Sequence, residues 1–261
     1  MSDIASTFGA KILGFTRMLG GAGLLFHQVL RELGRRPLHL GLVVEQIYHI
    51  GLKSMGITFV TAFSTGMVMA LQFGLGLEKF GGKLYVPKLV SLSVVREIAP
   101  VFCSLMLAAR VGAGIASELG SMTVTQQIDA IRALGTSPIK RIVVPRILAC
   151  LISTPLLCTL GNLLGVIGAC AVGVYELGLD PVYFYQKVVT TVVVMDFLTG
   201  IYKTIVFSFF ISLTACYFGL TVKGGTQGVG SAARGAVVTA SMLILIGDFF
   251  LTKLFFVLFE S

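Results

Sequence analysis

The chain has 261 residues, of which 56% are hydrophobic and 12% charged, with a mean hydropathy of +0.94 and a net charge of +8. Soluble domains carry about 25% charged residues, so a chain this apolar cannot cover an aqueous surface, and a soluble globular domain is excluded. The positive charge does not indicate nucleic acid, because the basic residues are scattered and form no basic, aromatic-studded surface. It fits the excess of Lys and Arg on the cytoplasmic side of membrane proteins.

The first 50 residues contain no convincing span. Phe8, Ile12, Phe15 and Leu19 recur at helical spacing, Lys11 and Arg17 lie off that stripe, and further basic residues follow at 31–36. The pattern fits a helix in the headgroup plane or one packed flat on a bundle. His27, His39 and His49 fall in this region without a nucleophile pattern and read as interface-facing polar residues.

Five apolar segments follow. Residues 54–77 are 24 positions without a charge, enough to cross a hydrocarbon core of about 30 Å. Residues 89–117 are apolar apart from Arg96, Glu97 and Arg110, and 147–175 form a 29-residue uncharged run. Residues 188–222 contain only Asp196 and Lys203, and 235–259 only Asp248 and Lys253. No alternating polarity suggests barrel strands. The fold expected is therefore all-α and integral to the membrane, one domain over 1–261. With the N-terminus in the cytoplasm, the pieces 1–53, 118–146 and 223–234 hold twelve Lys and Arg, and the opposite loops hold four. That bias places the N-terminus inside and the C-terminus outside.

The link between spans two and three, Glu118–Gly135, reads ELGSMTVTQQIDAIRALG. Thr123 and Gln126 have capping-box spacing, and Val124, Ile128, Ile131 and Leu134 mark one helical face. Gly135 and Pro138 end the pattern. The result is a short amphipathic helix of about 11 residues, about 16 Å long, with two open fates: resting on lipid, or docking in the groove of a soluble partner.

Charges at membrane depth cost roughly 2.5–3.5 kcal/mol each on insertion scales. Arg96, Glu97, Asp196, Lys203 and Asp248 therefore form either an ion-paired network that pins the bundle or a wet cavity for a charged headgroup or ion. In the second case Arg96 and Lys203 suit a phosphate, with Glu97 and Asp248 holding them. Small residues Gly161, Gly165, Ala169 and Gly173 recur every fourth position in span three, which lets helix backbones approach closely.

The loop Lys223–Arg234 contains Gly228-Val-Gly230-Ser-Ala-Ala233, a formal dinucleotide fingerprint without the strand–helix–strand unit it needs. No Gly-Lys-Ser/Thr phosphate loop occurs, and no nucleotide site is expected in this chain. The five cysteines all lie in apolar segments without a CxxC pair and read as packing residues; no metal or disulfide framework is expected.

Several stretches together carry a family resemblance: Gln46–Ser54, Ala70–Phe73, Val95–Pro100, Ala109–Ala113, Gly228–Gly230 and, most specifically, Glu118–Gly135. From about Gln46 to Phe259 the chain resembles the MlaE/YrbE permeases, membrane subunits of ABC systems that work with MCE-domain proteins on lipids. The resemblance implies a homodimer in the bacterial inner membrane, each chain bound to a cytoplasmic MlaF-like ATPase, with ATP and Mg on that partner and no cofactor here. A hexameric ring of MlaD-like MCE domains would meet the outer face, and phospholipid would pass between membrane and ring to maintain outer-membrane asymmetry. Leu71, Gln72, Arg96, Glu97, Lys203 and Asp248 match positions at or near the lipid cavity. The 118–135 link would be the coupling helix, with Glu118, Gly120, Met122, Thr125, Gln126, Ile128, Asp129 and Ile131 facing the ATPase. An ion-coupled secondary transporter or a non-transporting scaffold is the competing expectation; the former needs inverted repeats or broken helices, and no clear internal repeat is present.

Overall fold

The computed structural model describes residues 2–34 and 40–259, and the side chains among them except those of 2–15, 17 and 259. Phe8, Ile12, Phe15, Lys11, Arg17, Arg35, Arg36 and His39 of the sequence reading lie outside the described residues or side chains. Every regular element described is helical. Five helical stretches are long and apolar enough to cross a membrane: Leu40–Glu78, Lys83–Val124, Ile139–Tyr175, Val194–Leu220 and Gly225–Leu258.

Helix α1 (Ser2–Leu33) lies against the bundle, with Leu25 and Val29 buried and Leu24 and Leu30 exposed. Helix α2 (Leu40–Ile50) runs through a 3₁₀ turn, Leu52–Ser54, into α3 (Met55–Glu78), the first span. The second pass is α4 (Val86–Ser93), α5 (Ala99–Leu107) and α6 (Ala113–Val124), joined by π-helical turns at Val94–Ile98 and Ala108–Gly112. The first of these turns carries Arg96 and Glu97 and the second carries Arg110. Such single wide turns re-aim side chains within an otherwise regular helix.

Helix α7 (Gln127–Ala133) follows, then α8 (Val144–Tyr175), α9 (Pro181–Thr191), α10 (Val194–Leu220) and α11 (Gly225–Phe259). Helix α8 is entered through a third π-helical turn, Ile139–Val143, that contains Lys140 and Arg141. The charge-free run 147–175 therefore marks only the part of this helix that avoids charge, and the helix itself begins earlier.

Two boundaries differ from the sequence reading. The segment 188–222 is not one helix, because Val192 and Val193 are extended and separate α9 from α10. The β-branched run Val188–Val194 loses side-chain freedom in a helix, and Asp180 with Pro181 starts α9 independently, its carboxylate accepting from the Tyr183 N–H at 2.8 Å. The 11-residue helix expected within 118–135 is also corrected. Helix α6 runs on to Val124, and Thr123 Oγ1 donates to Leu119 and Gly219 carbonyls instead of closing a capping box. Gln126 then turns the chain with φ of 59° in the left-handed region, leaving seven residues for α7. A non-glycine residue there costs about 1 kcal/mol or more. Gln126→Gly is expected to raise thermal stability by up to about 1 kcal/mol, as read by fluorescence-detected unfolding of the purified chain.

Helices α3 and α8 meet along the small-residue stripe. A Cβ at Gly66 would sit 1.9 Å from the Gly165 carbonyl oxygen, and one at Gly168 would sit 2.3 Å from that of Phe63. One buried cluster, including Leu107, Leu119, Ile147, Phe207 and Ile211, joins α5, α6, α8 and α10. A smaller one around Val86, Val90, Ala169 and Phe184 closes the opposite end. The bundle thus has two distinct ends. At the α7 end, Thr123 bonds Gly219 and a Cβ at Gly120 would touch Val222. At the α9 end, the Tyr183 hydroxyl donates to the Leu84 carbonyl at 3.0 Å. Helix α11 exposes Val238, Met242, Leu245, Phe249, Phe256 and neighbours along most of its length, a surface only lipid or another apolar face can cover.

Candidate functional site: a charged pocket in the bundle and a helix at its end

Three passes bring the buried charges together. The π-helical turn Val94–Ile98 supplies Arg96 and Glu97, α10 supplies Asp196 and Lys203, and α11 supplies Asp248 and Thr252. Lys203 is the centre, only 1% exposed. Its ammonium donates to Glu97, to Thr252 Oγ1 at 2.7 Å and to the Arg96 carbonyl at 3.4 Å. Asp248 Oδ1 lies 3.0 Å away as an ion-pair partner but off the hydrogen-bonding direction, so this carboxylate keeps unused acceptor capacity.

Arg96 is held separately. Its Nη2 and Nε lie 2.5 and 2.6 Å from Asp196 Oδ1. The other oxygen, Asp196 Oδ2, accepts from the Val193 N–H at 3.0 Å, which ties the guanidinium to the first turn of α10. Two fork nitrogens on one carboxylate oxygen make a strong, oriented contact. Asp196→Asn is expected to cost about 2 kcal/mol through loss of this charge-assisted pair, seen as a lower unfolding temperature in detergent.

A cavity of about 240 Å³ opens over these groups. Arg96, Glu97, Asp196, Thr199, Lys203 and Thr252 form its polar floor, and Val193, Met195, Phe255 and Phe256 its apolar wall. It sits toward the α9 end, since Asp196 lies in the first turn of α10. The pocket groups carry one more carboxylate than cation, with Asp248 counted beside them. Of the sequence candidates, Arg96, Glu97, Lys203 and Asp248 are brought together. Leu71 and Gln72 are not; both are exposed on α3, outside this cavity. Asp196 and Thr252 are the residues a site reading from sequence underrates. Thr252 is four residues after Asp248, on the same helix face, and donates to its carbonyl at 2.8 Å.

At the α7 end, Glu118 pairs with Arg146 at 2.7 Å, and Arg146 is 4% exposed. Gly120 is buried with no room for a side chain against Val222, and Met122 and Ile131 are half-buried. Thr125, Gln126 and Asp129 are exposed, Asp129 paired with Arg132 at 3.3 Å. Ile128 is buried, while Val124 and Leu134 of the same expected ridge remain exposed. The ridge is therefore half used inside the chain. Among the described residues no group of His, Cys, Asp and Glu has the arrangement of a metal site, and the five cysteines are free.

Five apolar passes around a knot of charge that opens on a cavity, with a short helix presented at one end, are the architecture of a multi-pass membrane permease subunit. The sequence profile described as Permease MlaE matches residues 43–254, and the chain belongs to this permease family. It is 38% identical to a probable ABC transporter permease protein of Rickettsia felis over 97% of this chain and 98% of that one. A probable ABC transporter permease protein of Synechocystis is 34% identical, over 98% and 97%. The intermembrane phospholipid transport system permease protein MlaE of Haemophilus influenzae is 31% identical, over 97% and 98%.

Proposed function

We propose that this chain is the membrane subunit of an ATP-driven phospholipid transporter of the bacterial inner membrane, and that the charged pocket receives a lipid headgroup. The observation that carries the reading is the pocket itself, whose charged floor meets an apolar wall of Met195, Phe255 and Phe256. A phospholipid has that same division between charged head and apolar chain. Arg96 suits the phosphate, being the cation with a partly exposed side chain. The two cations and two carboxylates that line the cavity suit a headgroup that also bears an ammonium. Leu71 and Gln72, exposed on α3, would border the lipid path between two copies of the chain.

ATP hydrolysis belongs to a separate subunit in this reading. Residues 118–131 would meet that MlaF-like ATPase on the cytoplasmic side, through the exposed Thr125, Gln126 and Asp129, with the buried Ile128 and half-buried Met122 and Ile131 seating α7. A periplasmic MCE-domain ring would exchange lipid at the α9 end, and the traffic would maintain outer-membrane asymmetry. The test is reconstitution of the chain with ATPase and MCE partners in liposomes, following labelled phospholipid in both directions. ATP-dependent transfer that needs Arg96 and Lys203 is expected. Transfer of an ion by this chain alone, without ATPase, would replace the reading by an ion-coupled transporter.

A further inference from the structure

A second polar cleft lies at the opposite end of the bundle and shares no residue with the first. It measures about 180 Å³ and is lined by Gln46, His49 and Ser54 from the α2–α3 junction and by Arg110, Gly114 and Glu118 from the second pass. Its charge balance is reversed. Glu118 is already neutralised by Arg146 at 2.7 Å, whereas no carboxylate among the described residues pairs with Arg110. Lys53 adds a further cation beside the cleft, its Nζ 3.0 Å from His49 Nδ1.

Ser54 supplies the second observation. It is fully buried, it does not cap α3, and its hydroxyl has no hydrogen-bond partner although it lines the cleft. Buried hydroxyls without partners are costly; those of Ser104 and Ser153 are also unpartnered, but only Ser54 lines this cleft, where an acceptor would complete it. An oxyanion next to an unpaired guanidinium meets both needs: Arg presents paired donors to phosphate oxygens, and Ser adds a third. The cleft is smaller than the roughly 300 Å³ of a drug-sized ligand site, which leaves room for a phosphate ester but not for a nucleotide. Ile50, Val111 and Ile115 give the cleft an apolar side, and the face of α2 turned away from it exposes Val44 and Tyr48, with Leu52 in the turn that follows. We infer that this cleft binds a phosphate group through Arg110 and Ser54, and the apolar flank points to a phospholipid headgroup of the membrane leaflet at the α7 end as its source. The site is separate from the Arg96–Lys203 pocket, and its occupancy does not depend on transport.

The chain contains no tryptophan, so Tyr48→Trp places a single indole reporter beside His49, whose ring the Tyr48 ring contacts and which lines the cleft. The full-length variant in phosphatidylcholine nanodiscs is titrated with dansyl-labelled phosphatidylglycerol, and separately with inorganic phosphate. Energy transfer from the introduced indole above that of random mixing is expected, with affinity reduced about tenfold by Arg110→Gln, the loss of one charge-assisted contact. It is expected to be unchanged by Lys88→Gln, at the far end. If inorganic phosphate shifts the indole emission in an Arg110-dependent way while the lipid is not enriched, the phosphate site stands and its source is soluble. If neither probe responds, or both ignore Arg110→Gln and Ser54→Ala, the inference is overturned; loss of a co-purifying ATPase in Arg110→Gln would then assign the cleft to a protein interface. Nucleotide-driven lipid transfer is read in a different assay, so its failure would leave this result untouched.

Discussion

Replacing Lys203 by Met is expected to be among the most damaging single changes in the chain. It removes the one cation between Glu97 and Asp248 and leaves Thr252 with no donor to accept from. Breaking a buried pair by deleting one partner typically costs 3–5 kcal/mol, because the other charge is stranded. Glu97 is partly exposed, which puts the expected loss near the lower end, about 3 kcal/mol. Thermal unfolding in detergent measures it. The triple change Lys203→Met, Glu97→Gln, Asp248→Asn separates the two roles of the cluster. It removes every stranded charge, so stability is expected to recover by at least half. If the cluster only pins the bundle, lipid transfer recovers too; if it receives the headgroup, transfer stays lost in a folded protein.

Gly66→Leu is expected to be equally severe for a purely geometric reason. The Gly165 carbonyl occupies the place a Cβ would take, at 1.9 Å, and it is backbone, with no rotamer to yield. Helices α3 and α8 would have to separate along the whole small-residue stripe. Overpacking costs typically 1–3 kcal/mol and occasionally more; separation of two backbones puts this case at about 3 kcal/mol or above, observed as aggregation or loss of the folded peak on size exclusion. Gly76→Ala is the contrast, on the same helix with nothing within 4 Å. There the substitution is expected to stabilise by about 0.5–1 kcal/mol through helix propensity alone.

The five crossings were legible because lipid imposes a plain rule: about 20 apolar residues in a row. What the rule cannot mark is where a helix continues after leaving the hydrocarbon. Lys140, Arg141 and Arg146 read as loop residues, yet they belong to the helical entry into α8. The break at Val192–Val193 was masked by the very hydrophobicity that identifies a span, and its signal lay in β-branching, not polarity. Among the site residues, Arg96, Glu97, Lys203 and Asp248 announced themselves as charges in apolar surroundings. Their pairing did not. Asp196 and Lys203 are seven apart on one helix and suggest mutual pairing, but Asp196 holds Arg96 and Lys203 holds Glu97 and Asp248. Which charge meets which depends on the rotation of three helices, and on a π-helical turn at 94–98 that no local pattern betrays. Thr123 failed as a capping residue for a related reason, since α6 continues through it and its hydroxyl donates to the carbonyls of Leu119 and, on α10, Gly219.

The partner choice has a consequence for how the chain enters the membrane. The turn at 94–98 contributes one cation and one anion to the network, the fourth span carries Asp196 with Lys203, and the fifth carries Asp248 with Lys253. Each of these three stretches holds one acid and one base of its own, so its charges can neutralise each other locally, while Arg110 is an added cation on the second span. In the folded bundle the pairing runs between spans instead: Asp196 holds Arg96, and Lys203 holds Glu97 and Asp248. A permease assembled this way carries its insertion counter-ions and its interior recognition groups in the same few residues.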